Sequence, residues 1–276
     1  MTGSESEPGA KLTQEQRFSF NEVGDQYDRY RPGYPEPLFE DLLSLSGISL
    51  TDRVLEIGCG TGQATRPLAQ RGFIMSCLEP GSRTASIAQK NLEKFSGVDV
   101  LCTTFEAWPC ETEAYGLVFA AQAFHWVPLE IGFAKAAQAL LPAGALAVFG
   151  NTEVTEHSNH GDAGGPVSEE LDAAYSNHAP SLLGRPGSNW YAKEGPIASL
   201  FDDSGHFSPV TTRRYPWSQR YKTPEYIGLL GTYSHHRLLP TKQRKQLHGA
   251  IAEALDRFGS EIEIFYEANL YLAQRL

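Results

Sequence analysis

The amino-acid sequence predicts an α/β fold in which a doubly wound, Rossmann-like sheet carries helices on both faces. Three observations favour this class. Short apolar runs alternate with helical patterns between residues 53 and 150, a turn with three glycines follows the first run, and an acidic residue, Glu79, ends the second. Alternation of this kind is typical of parallel strands joined by helical crossovers.

Five apolar runs in this stretch are predicted strands. They cover residues 53–57, 73–78, 98–102, 115–120 and 145–150. The predicted helices between them cover residues 63–71, 82–95 and 128–141. The last of these helices is expected to stop at Leu-Pro-Ala-Gly, because proline and glycine end helices.

The flanking segments complete the predicted sheet. Phe18, Phe20, Val23 and Tyr27 have roughly helical spacing, which predicts a helix over residues 18–30. Towards the C-terminus the patterns predict helices at residues 167–177, 224–231 and 241–258, and strands at residues 209–217 and 262–272. These two further strands would extend one edge of the sheet and bring it to seven strands.

Local composition indicates how the chain is divided. Residues 1–16 are rich in Gly, Ser, Glu and Gln, which predicts a disordered tail. Residues 17–276 are predicted to form a single domain. Within it, residues 152–208 lack a regular pattern and are interpreted as an insertion, or lid, on the substrate side.

The bulk composition excludes several classes of protein. A formal net charge of −10 over 276 residues makes nucleic acid an unfavoured partner. Neither a targeting segment nor a membrane span is visible. The four cysteines form no Cys-x-x-Cys pair and are predicted to be buried thiols in a reducing compartment. We therefore expect a cytoplasmic monomer or homodimer that acts on a small molecule.

The glycine turn has the character of a nucleotide-binding loop. Gly58, Gly60 and Gly62 stand at alternate positions, where a residue without Cβ lets a flat ligand approach the backbone. A dinucleotide fingerprint needs its third glycine where this chain has Gln63, and a phosphate loop needs Gly-Lys-Ser/Thr, which is absent. Glu79 follows about twenty positions later, where doubly wound sheets place a carboxylate for a ribose diol.

Further segments are expected to reach the same crevice, because ligands in open parallel sheets bind outside the carboxyl ends of the strands. These segments are Thr104-Phe105-Glu106, the run at residues 121–126 (Ala-Gln-Ala-Phe-His-Trp), and Gly150-Asn151. Each of them follows a predicted strand.

With its Val-Leu-Glu-Ile-Gly-Cys-Gly-Thr-Gly motif at residues 54–62, the chain resembles the class I S-adenosylmethionine-dependent methyltransferases. It is similar to their trans-aconitate-methyltransferase-like branch at residues 27–35, 104–106, 121–126 and 230–234. The resemblance covers residues 18–276, loosely in the lid. It implies a mostly parallel sheet with an antiparallel last strand, S-adenosylmethionine as methyl donor and S-adenosylhomocysteine as product.

The resemblance also implies which residues contact the donor. Glu56 and the three glycines would line its methionine part, Glu79 would hold the ribose hydroxyls, Phe105 would border the adenine, and Arg31 would pair with the carboxylate. The full predicted set is Tyr27, Arg31, Glu56, Gly58, Gly60, Gly62, Glu79, Pro80, Thr104, Phe105, Glu106, Ala121 and Gln122. One departure from the family is Gly116, where an aspartate is usual; we expect a structural adjustment away from the ligand-bearing end of the strand.

The acceptor side is less defined. His125 follows the fourth strand and is the candidate general base, since an imidazole titrates near physiological pH. The predicted acceptor-side residues are His125, Trp126, Trp190, Tyr191, Tyr233 and His235, with His236 also near. O-, N- and C-methylation all stay open. A carboxylate acceptor, suggested by the resemblance alone, could be received by Arg185, Arg213 or Arg237.

Several alternatives stay open. His125 could be a structural histidine, and Arg31 could pair with Asp28 or Glu36 on the surface. The protein could bind the donor without transferring its methyl group, or be a nicotinamide-dependent oxidoreductase, which Gln63 disfavours. No metal is predicted, because the run Glu153, Glu156, His157, His160 and Asp162 matches no ligand spacing.

Overall fold

The structure, a computed structural model, describes residues 24–154, 165–183 and 189–276. Its centre is a seven-stranded sheet in the order β3-β2-β1-β4-β5-β7-β6. The strands β1 to β5 pair in parallel, whereas β7 pairs antiparallel with both β5 and β6. Only β7 therefore runs against the others, and the predicted fold class is confirmed.

The strand bounds are close to the predicted ones. The strands are β1 (Arg53–Ile57), β2 (Ile74–Leu78), β3 (Val98–Leu101), β4 (Tyr115–Ala121), β5 (Leu140–Glu153), β6 (Thr211–Lys222) and β7 (Glu261–Gln274). The main difference is β5, which begins at Leu140 because this residue already pairs with Tyr115 of β4. The Leu-Pro-Ala-Gly segment lies within this strand, with Ala143 at a φ of 61°.

Ten α-helices surround the sheet in the described part of the chain. They are α1 (Gly24–Tyr30), α2 (Glu36–Ser46), α3 (Thr65–Gln70), α4 (Ser82–Leu92), α5 (Leu129–Ala139), α6 (Pro166–His178), α7 (Ile197–Ser204), α8 (Thr223–Leu230), α9 (Ser234–Arg237) and α10 (Thr241–Arg257). Of these, α2, α7 and α9 were not predicted. Residues 18–23 of the predicted first helix and the predicted disordered tail, residues 1–16, lie outside the described residues.

The sequence of α2 contains the signals that fix this helix. Pro35 precedes it in an extended conformation, and Gly47 ends it with a φ of 67°. Leu38 and Leu42, four positions apart, are both fully buried. Proline before the first turn, left-handed glycine after the last and an apolar i, i+4 pair are the features that define an amphipathic helix.

Both faces of the sheet are buried, as in doubly wound proteins. Along β4, Leu117 and Phe119 belong to the apolar cluster under α2, α3 and α4, whereas Val118 and Ala120 belong to the cluster under α5 and α7. Side chains of a strand alternate between faces, so a single strand supplies both cores. A third apolar cluster joins α6, α8 and α10 to the long β6–β7 ladder.

Close packing explains why glycine stands at position 116. It lies inside β4, and a Cβ there would come within 2.8 Å of Cβ of Asp52. The expected aspartate would not fit this approach. The position is at the amino end of the strand, away from the carboxyl ends that form the site.

The cysteine prediction holds only in part. Cys59 and Cys77 are buried, but Cys110 is half-buried and Cys102 is exposed, because it follows the last residue of the short strand β3. All four thiols are free. Among the described residues, every helix is too short or too polar to cross a membrane.

Candidate functional site

A cavity of about 250 Å³ opens at the carboxyl ends of β1, β2 and β4. Many of the predicted site residues line it. They are Tyr27, Arg31, Gly58, Gly60, Glu79, Pro80, Phe105, Ala121, Gln122, His125, Trp126 and Tyr191. The fold thus brings together side chains and backbone from α1, the ends of the four strands β1 to β4 and the segment after α6.

The glycine turn forms one wall of the cavity. Gly58, Gly60 and Gly62 have φ values of 70°, 58° and 94°, which side chains rarely adopt. A Cβ on Gly58 would lie 2.5 Å from Cβ of Ala123, so the backbone passes directly against the segment after β4. The turn is a cradle that only glycine can form.

The Glu79 carboxylate lies between two backbone loops. Its Oε2 accepts a hydrogen bond from the Gly60 N–H at 3.0 Å, and its Oε1 accepts one from the Gly81 N–H at 2.9 Å. A carboxylate has about four lone-pair sites, more than these two hydrogen bonds use. The group is therefore fixed in orientation at the cavity that it lines.

Arg31 is held by the segment between α8 and α9. Its Nε donates to Thr232 Oγ1 at 2.8 Å and its Nη2 donates to the Thr232 carbonyl at 3.1 Å. The guanidinium carbon lies 5.3 Å from the ring centre of Tyr27 and 4.5 Å from that of Tyr233. The cation is thereby presented to the cavity between two aromatic faces.

The alternative that Arg31 pairs with Asp28 or Glu36 does not match the contacts. Asp28 Oδ1 accepts a hydrogen bond from Asn91 at 2.8 Å, and Glu36 forms an ion pair with Arg71.

Gln122 connects the ends of β4 and β5. Its Nε2 donates to the Asn151 carbonyl at 3.1 Å, and its backbone N–H donates to the Phe149 carbonyl at 2.8 Å. Its φ of 49° is uncommon for a residue with a side chain and costs on the order of 1 kcal/mol. The cavity wall therefore contains backbone strain, as functional sites often do.

His125 and Tyr191 face each other in the cavity wall. His125 Nδ1 lies 2.8 Å from the Tyr191 hydroxyl oxygen. The centre of the imidazole lies 4.8 Å from the ring centre of Trp126 and 6.1 Å from that of Trp190. Burial lowers the pKa of His125 from 6.5 to about 4. The ring is therefore neutral at pH 7, and it is a weak base.

Glu56 does not line the cavity. Its side chain is fully buried below the glycine turn, where Oε2 accepts a hydrogen bond from the Thr65 hydroxyl at 2.6 Å. Burial raises the pKa of Glu56 from 4.5 to about 8, although the Thr65 hydrogen bond lowers it in part. At neutral pH this carboxyl is thus mostly protonated, and it supports the turn from beneath.

Other predicted donor-side residues also lie outside the lining. A Cβ on Gly62 would lie 3.0 Å from Leu92 Cδ1, so this glycine serves the packing of α4. Thr104 Oγ1 accepts a hydrogen bond from the Ala107 N–H at 3.1 Å, and the Glu106 carbonyl accepts one from Lys135. Both residues shape the turn after β3.

Three predicted acceptor-side residues are near the cavity but not among its lining residues. Trp190 is half-buried behind His125. The Tyr233 hydroxyl donates to Glu153, and His235 is exposed and stacks on Tyr233 with 5.3 Å between ring centres. His236 points the other way, into a buried contact with His248 at 3.1 Å.

The arginines considered for a carboxylate acceptor do not meet the cavity. Arg213 lies on β6 with its Nε 4.0 Å from Asp41, and Arg237 is the last residue of α9 and does not line the cavity. Arg185 lies outside the described residues.

The acidic and histidine-rich run is only partly described. Glu156, His157, His160 and Asp162 lie outside the described residues. Elsewhere, the residues that the structure does describe contain no group of three or more His, Cys, Asp or Glu side chains arranged to hold a metal ion.

Sequence reasoning missed several lining residues. They are Ile57, Leu78, Thr84, Thr103, Val127 and Ser234, whereas Ala123, which also lines the cavity, lies in the run at residues 121–126 that was expected there. All but Thr84 stand at or just beyond a strand end, or within or next to a recognised motif, which was the available signal. Ser234 begins α9 and closes the segment at residues 230–234 that resembles the family.

Comparison with known proteins identifies the family. The "Methyltransferase domain" family model matches residues 54–144. An uncharacterized methyltransferase of Geobacillus kaustophilus is 31% identical over 196 residues, covering 67% of this chain and 86% of that protein. An uncharacterized methyltransferase-like protein of Schizosaccharomyces pombe is 26% identical over 261 residues, covering 90% and 92%.

A solved structure shares the fold. It is a proposed type II methyltransferase from Anaeromyxobacter dehalogenans, with a TM-score of 0.58 and 20% identity, covering 89% of this chain and 98% of that one. The predicted branch has weak support: a trans-aconitate 2-methyltransferase of Mycobacterium ulcerans is 29% identical over 123 residues, 44% of this chain and 45% of that protein. With its motif, its sheet and these relatives, the chain belongs to the class I S-adenosylmethionine-dependent methyltransferases.

Proposed function

We propose that the cavity binds S-adenosylmethionine and that the protein transfers its methyl group to a small-molecule acceptor, releasing S-adenosylhomocysteine. The observation that carries this proposal is the presence of a left-handed glycine cradle, an oriented Glu79 carboxylate and the Arg31 cation in one cavity. When bound, the donor supplies a methyl group already activated on a sulfonium.

The residues present fit such a donor. Glu79 accepts hydrogen bonds from the ribose hydroxyls, the side chains of Phe105 and Pro80 supply an apolar wall for adenine, and Arg31 pairs with the amino-acid carboxylate. The closely packed turn at Gly58 and Gly60 lets a ligand approach the backbone, but it is not a phosphate-binding loop. This combination suits adenosine joined to an amino acid better than it suits a dinucleotide.

The contribution of the protein to the reaction is to position the acceptor against the methyl group. An activated methyl group needs a nucleophile held in line and protected from water, so little covalent machinery is required. His125, Trp126 and Tyr191, which line the cavity from the end of β4 and the inserted segment, provide this environment. Orientation by these buried side chains is the catalytic contribution that we assign to the acceptor side.

We assign the acceptor side to the inserted segment, residues 152–208, within a single methyltransferase domain. Tyr191 belongs to this segment and lines the cavity. Its position is supported by Tyr271 of β7, whose hydroxyl donates to the Ala192 carbonyl at 2.7 Å. The segment thus reaches the cavity from a fixed attachment on the sheet.

Calorimetry with S-adenosylmethionine and S-adenosylhomocysteine tests donor binding. We expect both to bind, and Glu79→Gln to weaken binding about tenfold, because a charge-assisted hydrogen bond contributes about 1.5–3 kcal/mol. Glu93→Gln, an exposed change on the loop after α4, is the matched control and leaves affinity unchanged. Failure of the well-folded protein to bind either molecule would refute the proposal.

A labelled methyl group tests transfer. The protein is incubated with methyl-labelled donor and a panel of carboxylates, amines, phenols and activated carbon acids, and label is followed into the acceptor. The partial match to a trans-aconitate 2-methyltransferase places polycarboxylates first in the panel. Donor binding with label retained on the donor across the panel would favour the alternative of a non-methylating protein.

A further inference from the structure

The hydroxyl of Tyr191 lies against a short helical turn, the 3₁₀-helix Phe124–Trp126, which carries His125. Tyr191 is buried, with 3% of its surface exposed. Burial raises the pKa of Tyr191, so its hydroxyl keeps its hydrogen at neutral pH. A buried hydroxyl hydrogen needs an acceptor.

The hydrogen-bond partner of this hydroxyl is His125 Nδ1, at 2.8 Å. A hydroxyl can donate its one hydrogen or accept through its lone pairs, and an unprotonated ring nitrogen is an acceptor. With Nδ1 unprotonated, the hydrogen of the hydroxyl has its acceptor. Within residues 24–154, 165–183 and 189–276, no other acceptor contacts the Tyr191 hydroxyl.

The opposite arrangement fails this hydrogen-bond count. A proton on Nδ1 would make the Tyr191 oxygen the acceptor and leave its own hydrogen without an acceptor among the described residues. A buried donor without a partner costs about 1–3 kcal/mol. The contact between these residues therefore selects one of the two neutral imidazole tautomers, the one protonated at Nε2.

The Nε2 atom is available to a ligand. It has no hydrogen-bond partner among the described residues, and it is not one of the buried polar atoms that lack a partner there. His125 lines the cavity. Burial alone accounts for the lowered pKa of His125, so no neighbouring charge favours the imidazolium.

We propose that Tyr191 is a positioning residue that fixes His125 as the Nε2–H tautomer, so that His125 offers the methyl acceptor a hydrogen-bond donor and not a base. The second half of this statement rests on the proposed function, whereas the tautomer does not. Tyr191 comes from the inserted segment, so this segment determines the chemistry of a residue attached to the end of β4.

The Nε2–H tautomer of His125 limits which acceptors can bind. A group that meets the Nε2–H must accept a hydrogen bond, so it brings its own lone pair. Nucleophiles that already carry a free lone pair at neutral pH meet this requirement without a base. A neutral hydroxyl that has to lose its proton before transfer would receive no help from His125.

Two-bond ¹H–¹⁵N correlation spectra of the full chain labelled with ¹⁵N-histidine test the tautomer directly. The His125 signals are assigned by their loss in His125→Gln. At pH 7 the wild-type protein is expected to show a protonated Nε2 and an unprotonated Nδ1. A protonated Nδ1 would overturn the proposal, whether or not any donor or acceptor binds.

A pH titration of the same signals tests the role of Tyr191. A hydroxyl that donates to Nδ1 stabilises the neutral ring, so Tyr191→Phe should raise the pKa of His125 towards 6.5. If Nδ1 donated instead, the same substitution would lower it. Tyr271→Phe removes a hydroxyl that holds the backbone at Ala192, next to Tyr191, without touching His125. This variant should leave the His125 pKa unchanged.

These outcomes separate a specific role from loss of order. An equal rise of the His125 pKa in both variants would mean that the low pKa requires only an ordered segment around Tyr191. That result would overturn the role of the Tyr191 hydroxyl. A rise in Tyr191→Phe alone supports it. Because the wild-type spectrum needs no variant, the tautomer is measurable even if Tyr191→Phe does not fold.

Discussion

The two sides of the cavity are built in different ways. The donor side consists mainly of turns that follow β1, β2 and β3, in which Glu79 binds the backbone N–H groups of Gly81 and of Gly60, 19 positions away. Arg31 is the exception, since it is held by Thr232, 201 positions away. The acceptor side is assembled from distant segments, with His125 after β4, Tyr191 in the inserted segment and Ser234 in α9. Apart from Arg31, the donor side is therefore determined by neighbouring strand–turn units and the acceptor side by tertiary packing.

This difference predicts how the two sides tolerate change. A substitution on the donor side disturbs either a left-handed backbone that favours glycine or a side chain that faces the donor, and should affect affinity for the donor most. A substitution on the acceptor side alters side-chain contacts, and should affect the acceptor, the pH response or the stability while donor affinity persists.

Gly58→Ala should have the largest effect. A left-handed φ costs a residue with a side chain about 1–2 kcal/mol, and an added methyl in a packed site costs about 1–3 kcal/mol. The new Cβ would lie 2.5 Å from Cβ of Ala123, so the turn must shift. We expect donor affinity, measured by calorimetry, to fall about 100-fold or more, equivalent to about 2.8 kcal/mol.

Gly47→Ala is the matched control for Gly58→Ala. Gly47 has nearly the same φ, 67°, but nothing lies within 4 Å of the position its Cβ would take. This variant should lose thermal stability by about 1–2 kcal/mol with unchanged donor affinity. Equal loss of affinity in both variants would show that backbone strain, and not the close approach to Ala123, governs the turn.

Arg31→Lys should have the next largest effect. Lysine keeps the charge but loses the planar fork that bonds to Thr232 and matches a carboxylate. We expect calorimetry to show a donor affinity about 30-fold lower, near 2 kcal/mol. Arg220→Lys, at an exposed ion pair with Glu263, should change nothing measurable. Unchanged donor affinity in Arg31→Lys would mean that another residue pairs with the carboxylate of the donor.

Three of the predicted donor-side residues could be placed at one cavity from the sequence for a physical reason. The spacing of Gly58 and Gly60 and the position of Glu79 are local properties of strand–turn–helix units, and all three residues line the cavity. Glu56 was placed beside the donor by the family resemblance, and its side chain is instead fully buried below the turn.

The acceptor side was less predictable. Tyr191 was one of several aromatic residues in a segment without a regular pattern, and its contact with His125 depends on how residues 66 positions apart meet. Helix α7, which packs Phe201 against Phe133 of α5 on the same side, was missed as well. Its eight residues follow a run of Gly, Pro and Ser that obscures its start.

Glu56→Gln tests whether the carboxyl under the turn is structural. The folded-state pKa, about 8, lies above the ordinary 4.5, so the folded state binds more protons than the unfolded chain between these values. Stability is therefore lost as the pH rises from 4.5 to 8. Glutamine removes this dependence, and relative to wild type it should gain about 2 kcal/mol between pH 5 and pH 7.

Denaturant unfolding at both pH values measures that gain, with the exposed Glu261→Gln as control. Donor affinity of Glu56→Gln should stay within about threefold of wild type, well short of the tenfold change that 1.4 kcal/mol gives. A large loss of donor affinity would instead indicate that Glu56 contacts the donor.

His125→Asn should have the smallest effect and the opposite pH dependence. The folded-state pKa of His125, about 4, lies below its ordinary 6.5, so the unfolded chain binds more protons between these values and stability falls as the pH falls from 6.5 to 4. Asparagine removes this loss. Because His125 is partly accessible, we expect wild type to lose only about 1 kcal/mol relative to the variant between pH 7 and pH 5.

Denaturant unfolding at both pH values measures this loss of stability. His206→Asn, an exposed change, is the control and should show the same pH dependence as wild type. Parallel pH curves for wild type and His125→Asn would mean that the imidazole charges freely in the folded protein, and the acceptor side would then be wetter than its packing implies.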